Sequence, residues 1–191
     1  MNTLIFATNN QHKIDEIRTV IGTRFNIITL AEAGIHIDIP EPHDTIEENA
    51  AEKSSFIYHL TNKDCFGEDT GLEIEALNGQ PGVLSARYAG DEKSHSKNIE
   101  KVLHNLRGID NRNAQFKTII SLMIDGKQYQ FEGLCNGKIM SELKGNDGFG
   151  YDPIFVPNGS DKTFAEMTME EKNMYSHRRK ATDKLIAFLK N

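Results

Sequence analysis

Two runs of strand-forming residues, Phe116 to Ile124 and Gln128 to Leu134, flank the dipeptide Asp125-Gly126. A two-residue Asp-Gly turn takes positive φ at both positions and joins strands that pair antiparallel. The chain around this hairpin reads differently. Thr3-Leu4-Ile5-Phe6-Ala7 is a short buried strand that enters the polar turn Thr8-Asn9-Asn10-Gln11-His12. A helix follows, with Ile14, Ile17, Val20 and Ile21 at helical spacing. Phe25 to Leu30 is a second strand, and Thr45-Ile46-Glu47-Glu48 is a capping box that opens a helix to about Leu60. One antiparallel hairpin among β–α steps excludes an all-parallel sheet. The pattern is that of an α/β protein around a mixed sheet, and two lobes with a cleft between them would accommodate it.

The remaining elements fit that class. Leu72-Glu73-Ile74-Glu75-Ala76-Leu77 alternates apolar and acidic residues, as a half-exposed strand does. Ile99, Val102, Leu103 and Leu106 mark an amphipathic helix, and Pro153 to Val156 is a further strand. A second capping box, Thr168-Met169-Glu170-Glu171, opens a helix, and Ala181 to Leu189 forms the last one. No repeat or linker interrupts the 191 residues, so residues 1–191 read as a single domain.

Composition narrows the function classes. Twenty-two Lys and Arg against 28 Asp and Glu leave a net charge of −6, with no basic block. Such a chain lacks the electrostatic footprint of a duplex nucleic-acid binder. A local cluster of donors can still hold a small phosphate ligand, because charges act strongly at short range. Cys65 and Cys135 belong to no CxxC pair, which argues against a structural zinc site or a disulfide framework. No apolar run is long enough to span a membrane, and Met1-Asn2-Thr3-Leu4 is not a signal peptide. A cytoplasmic protein is expected.

Four segments could carry chemistry, and each has a plainer alternative. Thr8-Asn9-Asn10-Gln11-His12-Lys13 delivers polar side chains to a helix N-terminus, where unpaired N–H groups favour anions; an ordinary capped helix would look the same. Glu41 and the Gly67-Glu68-Asp69-Thr70-Gly71 stretch supply carboxylates that suit a hard cation, or an acidic surface turn. The stretch Gly145 to Pro153, with Gly148-Phe149-Gly150-Tyr151-Asp152 at its centre, sets two aromatics among glycines, as a planar ligand or a buried turn would require. The stretch Glu171 to Lys180, with Lys172 and Ser176-His177-Arg178, could meet a base edge or phosphates, or form a solvated helix end.

In combination these segments resemble the inosine triphosphate pyrophosphatase family, in order and over nearly the whole chain. Thr8-Asn9-Asn10-Gln11-His12-Lys13 is similar to its Ser/Thr-Gly-Asn-x-x-Lys phosphate loop, and Glu68-Asp69-Thr70-Gly71-Leu72 to its Asp-Asp-Ser-Gly-Leu segment. Leu77-Asn78-Gly79-Gln80-Pro81-Gly82 and Ser85-Ala86-Arg87-Tyr88 continue the pattern, and Gly148 to Pro153 and Ser176-His177-Arg178 match the two C-terminal signatures. Asn9 stands where the family often has Gly, Glu68 replaces a commoner Asp, and Arg179 replaces a common Gly. The loop must therefore accept a side chain at position 9, which Asn does better than most residues where φ is positive.

The resemblance implies an elongated mixed sheet with two α/β lobes around a central cleft, in a homodimer. It also implies Mg²⁺-dependent hydrolysis of non-canonical purine nucleoside triphosphates (ITP, dITP, XTP) to the monophosphate and pyrophosphate. Glu41, Glu68 and Asp69 would hold the cation, with Asp69 as general base. Thr8, Asn9, Asn10, Lys13, Lys53 and Thr70 would grip the phosphates. Phe149, Gly150 and Tyr151 would frame the base, with Asp152, Lys172, His177 and Arg178 around its edges. The rival readings are a Maf-like pyrophosphatase acting on other nucleotides, and a nucleotide- or RNA-binding module without turnover.

Overall fold

A computed structural model describes residues 3–22 and 25–190; Met1 and Asn2, the start of the N-terminal reading above, lie outside the described residues. The architecture is mixed α/β. Among the described residues, seven strands pair in the order β2-β1-β3-β5-β6-β7, with β4 on β3. The chain divides into two compact units: Met1–Asp69, Thr118–Gly133 and Arg178–Asn191 in one, Thr70–Lys117 and Leu134–His177 in the other.

The first unit holds β1 (Thr3–Phe6), α1 (Gln11–Ile21), β2 (Asn26–Thr29) and α2 (Ile46–Thr61). The N-terminal half of β3 (Cys65–Ile74), the hairpin end of β5 (Asn113–Ile124) and β6 (Lys127–Ile139), and nearly all of α5 (His177–Leu189) complete it. β1 pairs parallel with both β2 and β3. Side chains alternate across these strands, so the unit has two cores. Leu4, Phe6 and Phe66 pack with Ile14, Ile17 and Ile21 of α1 and with Ala181 and Leu185 of α5. Ile5, Ala7 and Cys65 pack with Ile57 of α2. The Asp125-Gly126 turn has φ of 49° and 74°, as the sequence required.

At Thr45 the cap forms in altered form. Its hydroxyl oxygen accepts from the Glu48 N–H at 3.2 Å and donates to the Glu48 carboxylate at 2.7 Å, so Glu48 reaches the side chain of the cap residue.

One expectation fails in an instructive way. Gly67 to Gly71 reads as a turn followed by a separate strand at Leu72–Leu77, yet β3 runs unbroken from Cys65 to Ile74, and Glu75–Leu77 closes into a 3₁₀ turn. Gly67 serves close packing instead. A Cβ there would lie 2.7 Å from Cβ of Lys53 and 2.9 Å from the Ala50 carbonyl oxygen, so only glycine lets β3 approach α2 this closely.

The second unit holds the distal parts of β3, β5 and β6 with β4 (Pro81–Gly82), α3 (His95–Asn105), β7 (Phe155–Pro157) and α4 (Met169–Tyr175). Its core gathers Leu72, Ile74, Val102, Phe116, Phe155 and Phe164. The Phe116 and Phe155 rings meet edge to face with centroids 4.7 Å apart. Both halves of the Thr168–Glu171 capping box form. The strand expected from Pro153 starts two residues later, because Asp152–Ile154 is a 3₁₀ turn. Asp152 explains the shift: its carboxylate accepts from the Phe149 N–H at 2.9 Å and fastens the loop before the strand.

Candidate active site

Glu68 and Asp69 are adjacent in sequence and buried. Period-two alternation along β3 sends them to opposite faces of the strand, so each meets its own cations. Glu68 follows Phe66 onto the face covered by α1 and α5. There Arg178 donates to it twice, from Nε at 2.8 Å and from Nη2 at 2.9 Å, and Lys13 Nζ lies 3.2 Å from Oε1. The remaining guanidinium donor reaches the carboxylate of Glu16. Burial pulls the Lys13 ammonium below its ordinary pKa despite Glu68. Burial also opposes the charge on Arg178, but Glu68 and Glu16 outweigh it and raise its pKa.

Asp69 faces α2. Lys53 Nζ sits 2.8 Å from Oδ1 of Asp69, 2.6 Å from Oε1 of Glu41 and 3.2 Å from the Glu68 carbonyl oxygen. Burial disfavours the Lys53 ammonium, yet Asp69 and Glu41 more than compensate and its pKa is raised. Burial pushes the Asp69 carboxyl above its usual range, with Lys53 and Lys13 pulling the other way.

The phosphate-loop residues form the entry to α1. Thr8 Oγ1 accepts from the Asn10 N–H at 3.1 Å, and Asn10 Oδ1 caps the helix by accepting from the Lys13 N–H at 3.3 Å. Asn9 does not use positive φ. Its side-chain amide donates to the Ile37 carbonyl at 2.9 Å, which ties the loop to the 35–39 segment. Thr70 lies in the next stretch of β3, half-buried.

In the second unit, Lys172 and Asp152 form a buried ion pair at 2.8 Å beneath Phe149. The Lys172 ammonium lies 5.4 Å from the Phe149 ring centre and 5.3 Å from that of Phe164, within cation–π range. Gly148, at φ +78°, leaves room for the Asp152 carboxylate, which a Cβ there would meet at 2.2 Å. Gly150 N–H points to Nδ1 of His95 at 3.3 Å.

Three residues expected around the base are buried among protein partners. Tyr151 is buried in the core, and its hydroxyl donates to the Ser85 carbonyl at 2.8 Å, so Phe149 is the half-exposed ring of the pair. His177 is buried with its ring stacked on Phe116, centroids 4.6 Å apart and planes 12° apart. Arg178, expected at a base edge, is buried against Glu68 and Glu16. Ser176-His177-Arg178 is therefore no solvated helix end. Sequence reasoning missed Glu16 and His95. Glu16 follows Lys13 by three positions, which puts both on one face of α1, and that spacing was the available signal.

Among the described residues, no three His, Cys, Asp or Glu side chains converge as a ready-made metal cage. Mg²⁺ is commonly held by one or two carboxylates with water and substrate phosphates supplying the other ligands. Glu41 and Asp69, whose oxygens already converge on a single cationic nitrogen, fit that demand. Glu68, the third expected ligand, lies on the other face of the strand with its two oxygens held by Arg178 and Lys13.

Residues 4–188 match the model of the Ham1 family. A dITP/XTP pyrophosphatase of Flavobacterium psychrophilum is 50% identical over 188 residues, 98% of this chain and 99% of that one. The solved Ham1 protein of Staphylococcus aureus superposes with a TM-score of 0.90 at 41% identity, over 99% of this chain and 98% of that one. A solved Coxiella burnetii HAM1 protein also gives 0.90, at 35% identity over 100% and 99%. With its strand order, its charged strand β3 and this full-length likeness, the chain belongs to the Ham1 family.

Proposed function

We propose that this chain hydrolyses ITP, dITP and XTP to the monophosphate and pyrophosphate, with Mg²⁺, as a homodimer in the cytoplasm. The observation that carries the reading is the meeting of the Glu41 and Asp69 carboxylates on the one ammonium of Lys53, in a chain of this family. Relatives in the family are named dITP/XTP pyrophosphatases. In the reaction, a water oxygen bonds to the α-phosphorus and the bond to the α–β bridging oxygen breaks. Asp69 accepts the proton from that water as general base. Lys13 and Lys53 pair with phosphate oxygens, and Thr8 and Asn10 orient the chain at the N-terminus of α1. The cation, held by Glu41 and Asp69, supplies charge neutralisation for the leaving pyrophosphate.

Phe149 offers its ring to the base, and Lys172, fixed by Asp152, offers N–H donors to a 6-keto oxygen. Adenine presents an amino donor there, and a donor facing a donor is left unpaired at a cost of about 1–3 kcal/mol. Pyrophosphate release from ITP, XTP, GTP, ATP and dUTP, with and without Mg²⁺, tests the reading. ITP and XTP should exceed ATP strongly in kcat/KM, with GTP intermediate or poor. A ratio of ITP to ATP near one would refute the selectivity, and turnover without a divalent cation would refute the metal requirement.

A further inference from the structure

Lys53 has an environment that a phosphate-gripping lysine alone does not need. Its ammonium is buried and bridges Glu41 and Asp69 at 2.6 and 2.8 Å, with a third contact to the Glu68 carbonyl at 3.2 Å. These are the two carboxylates to which the reading above assigns the cation, and the present inference rests on that assignment. An ammonium and a divalent cation cannot both sit against the same pair of oxygens without strong like-charge repulsion. Left without any cation, the buried carboxylate of Asp69 and the half-buried one of Glu41 would repel one another.

We infer that Lys53 is an internal placeholder for the divalent cation: it neutralises Glu41 and Asp69 before nucleotide arrives and so keeps them from taking a metal ion by themselves. A triphosphate brings negative oxygens that give the ammonium another partner and the metal ion its missing ligands. Lys53 then exchanges carboxylates for phosphates as the metal enters. The stem of Lys53 starts from a fixed point, since its Cβ is packed against Gly67. Only the flexible end of the side chain has to move. The consequence is positive coupling between metal and nucleotide, and linkage makes it reciprocal.

The test uses the full chain without nucleotide and Mn²⁺ as probe, with free Mn²⁺ followed by electron paramagnetic resonance. The wild type should take up Mn²⁺ weakly. Lys53→Met keeps the stem and removes the charge, and should tighten Mn²⁺ binding by about tenfold or more. Lys53→Arg should restore weak binding, and Lys53→Met combined with Asp69→Asn should lose the gain. A role in structure alone would move none of these in that pattern. If Lys53→Met unfolds, Lys53→Gln carries the same measurement. A further arm adds an ITP analogue whose α–β bridge is an imido group, which should draw Mn²⁺ to the wild type beyond what the analogue binds alone. Failure of that arm would overturn the metal assignment and this inference with it. Success there without a gain in the charge-removed variant, or tight Mn²⁺ binding by the nucleotide-free wild type, would overturn the placeholder role alone.

Discussion

The two units solve the burial of charge in different ways. In the first, three cations (Lys13, Lys53, Arg178) meet four carboxylates (Glu16, Glu41, Glu68, Asp69) in two groups on opposite faces of β3. In the second, one pair, Lys172 and Asp152, lies under aromatic rings and fastens a glycine-rich loop through the Phe149 N–H. A network of charges is suited to a ligand that is itself highly charged. A single pair beneath a ring is suited to a flat, nearly neutral one. The function proposed above rests on that difference, with phosphate chemistry placed in the first unit and recognition of a base in the second.

The largest expected effect falls on the network. Asp69→Asn removes a cation ligand and the proposed base together, and losing a general base costs roughly 10²–10⁴-fold in kcat. A steady-state assay at saturating Mg²⁺ that finds turnover within tenfold of wild type would remove the assignment of the first unit. Next comes Arg178→Met, which takes from the buried Glu68 its bidentate partner and from Glu16 its ion pair. Breaking such a buried pair costs about 3–5 kcal/mol, read from urea unfolding. Equal urea midpoints for variant and wild type would mean that the network is not where the stability of that unit resides.

The second unit is probed by Gly148→Ala. The new Cβ meets the Asp152 carboxylate at positive φ, and strain of about 1–3 kcal/mol should appear as a raised KM for ITP with kcat little changed. A fall in kcat at constant KM would break the division of labour between the units. The smallest effect belongs to the neighbour of Arg178. Arg179 pairs with Asp183 at 2.8 Å in solvent, and Arg179→Ala should cost at most about 0.5 kcal/mol. A cost near that of Arg178→Met would show that burial is not what sets the two apart.

Much of this was legible in the chain. The Asp125-Gly126 hairpin and the Thr168–Glu171 box are local, and local rules found them, whereas α1 begins at Gln11, inside what reads as a polar turn. What stayed hidden depends on contacts distant in sequence. Gly67 looks like a turn residue until α2 is seen against it. Arg178 and Glu68 are 110 positions apart, so no spacing rule could pair them. The two carboxylates at 68 and 69 look like one acidic cluster only while the chain is read as a turn. As a strand, the same pair must point two ways.

The glycine that lets β3 touch α2 has one further consequence. With the helix and strand in backbone contact at Gly67, the separation between the root of Lys53 and that of Asp69 is set by main chain alone. Any change of partner by the Lys53 ammonium is therefore a swing of its own stem from a fixed root, with no shift of helix or strand. That frame is set once, when the protein folds.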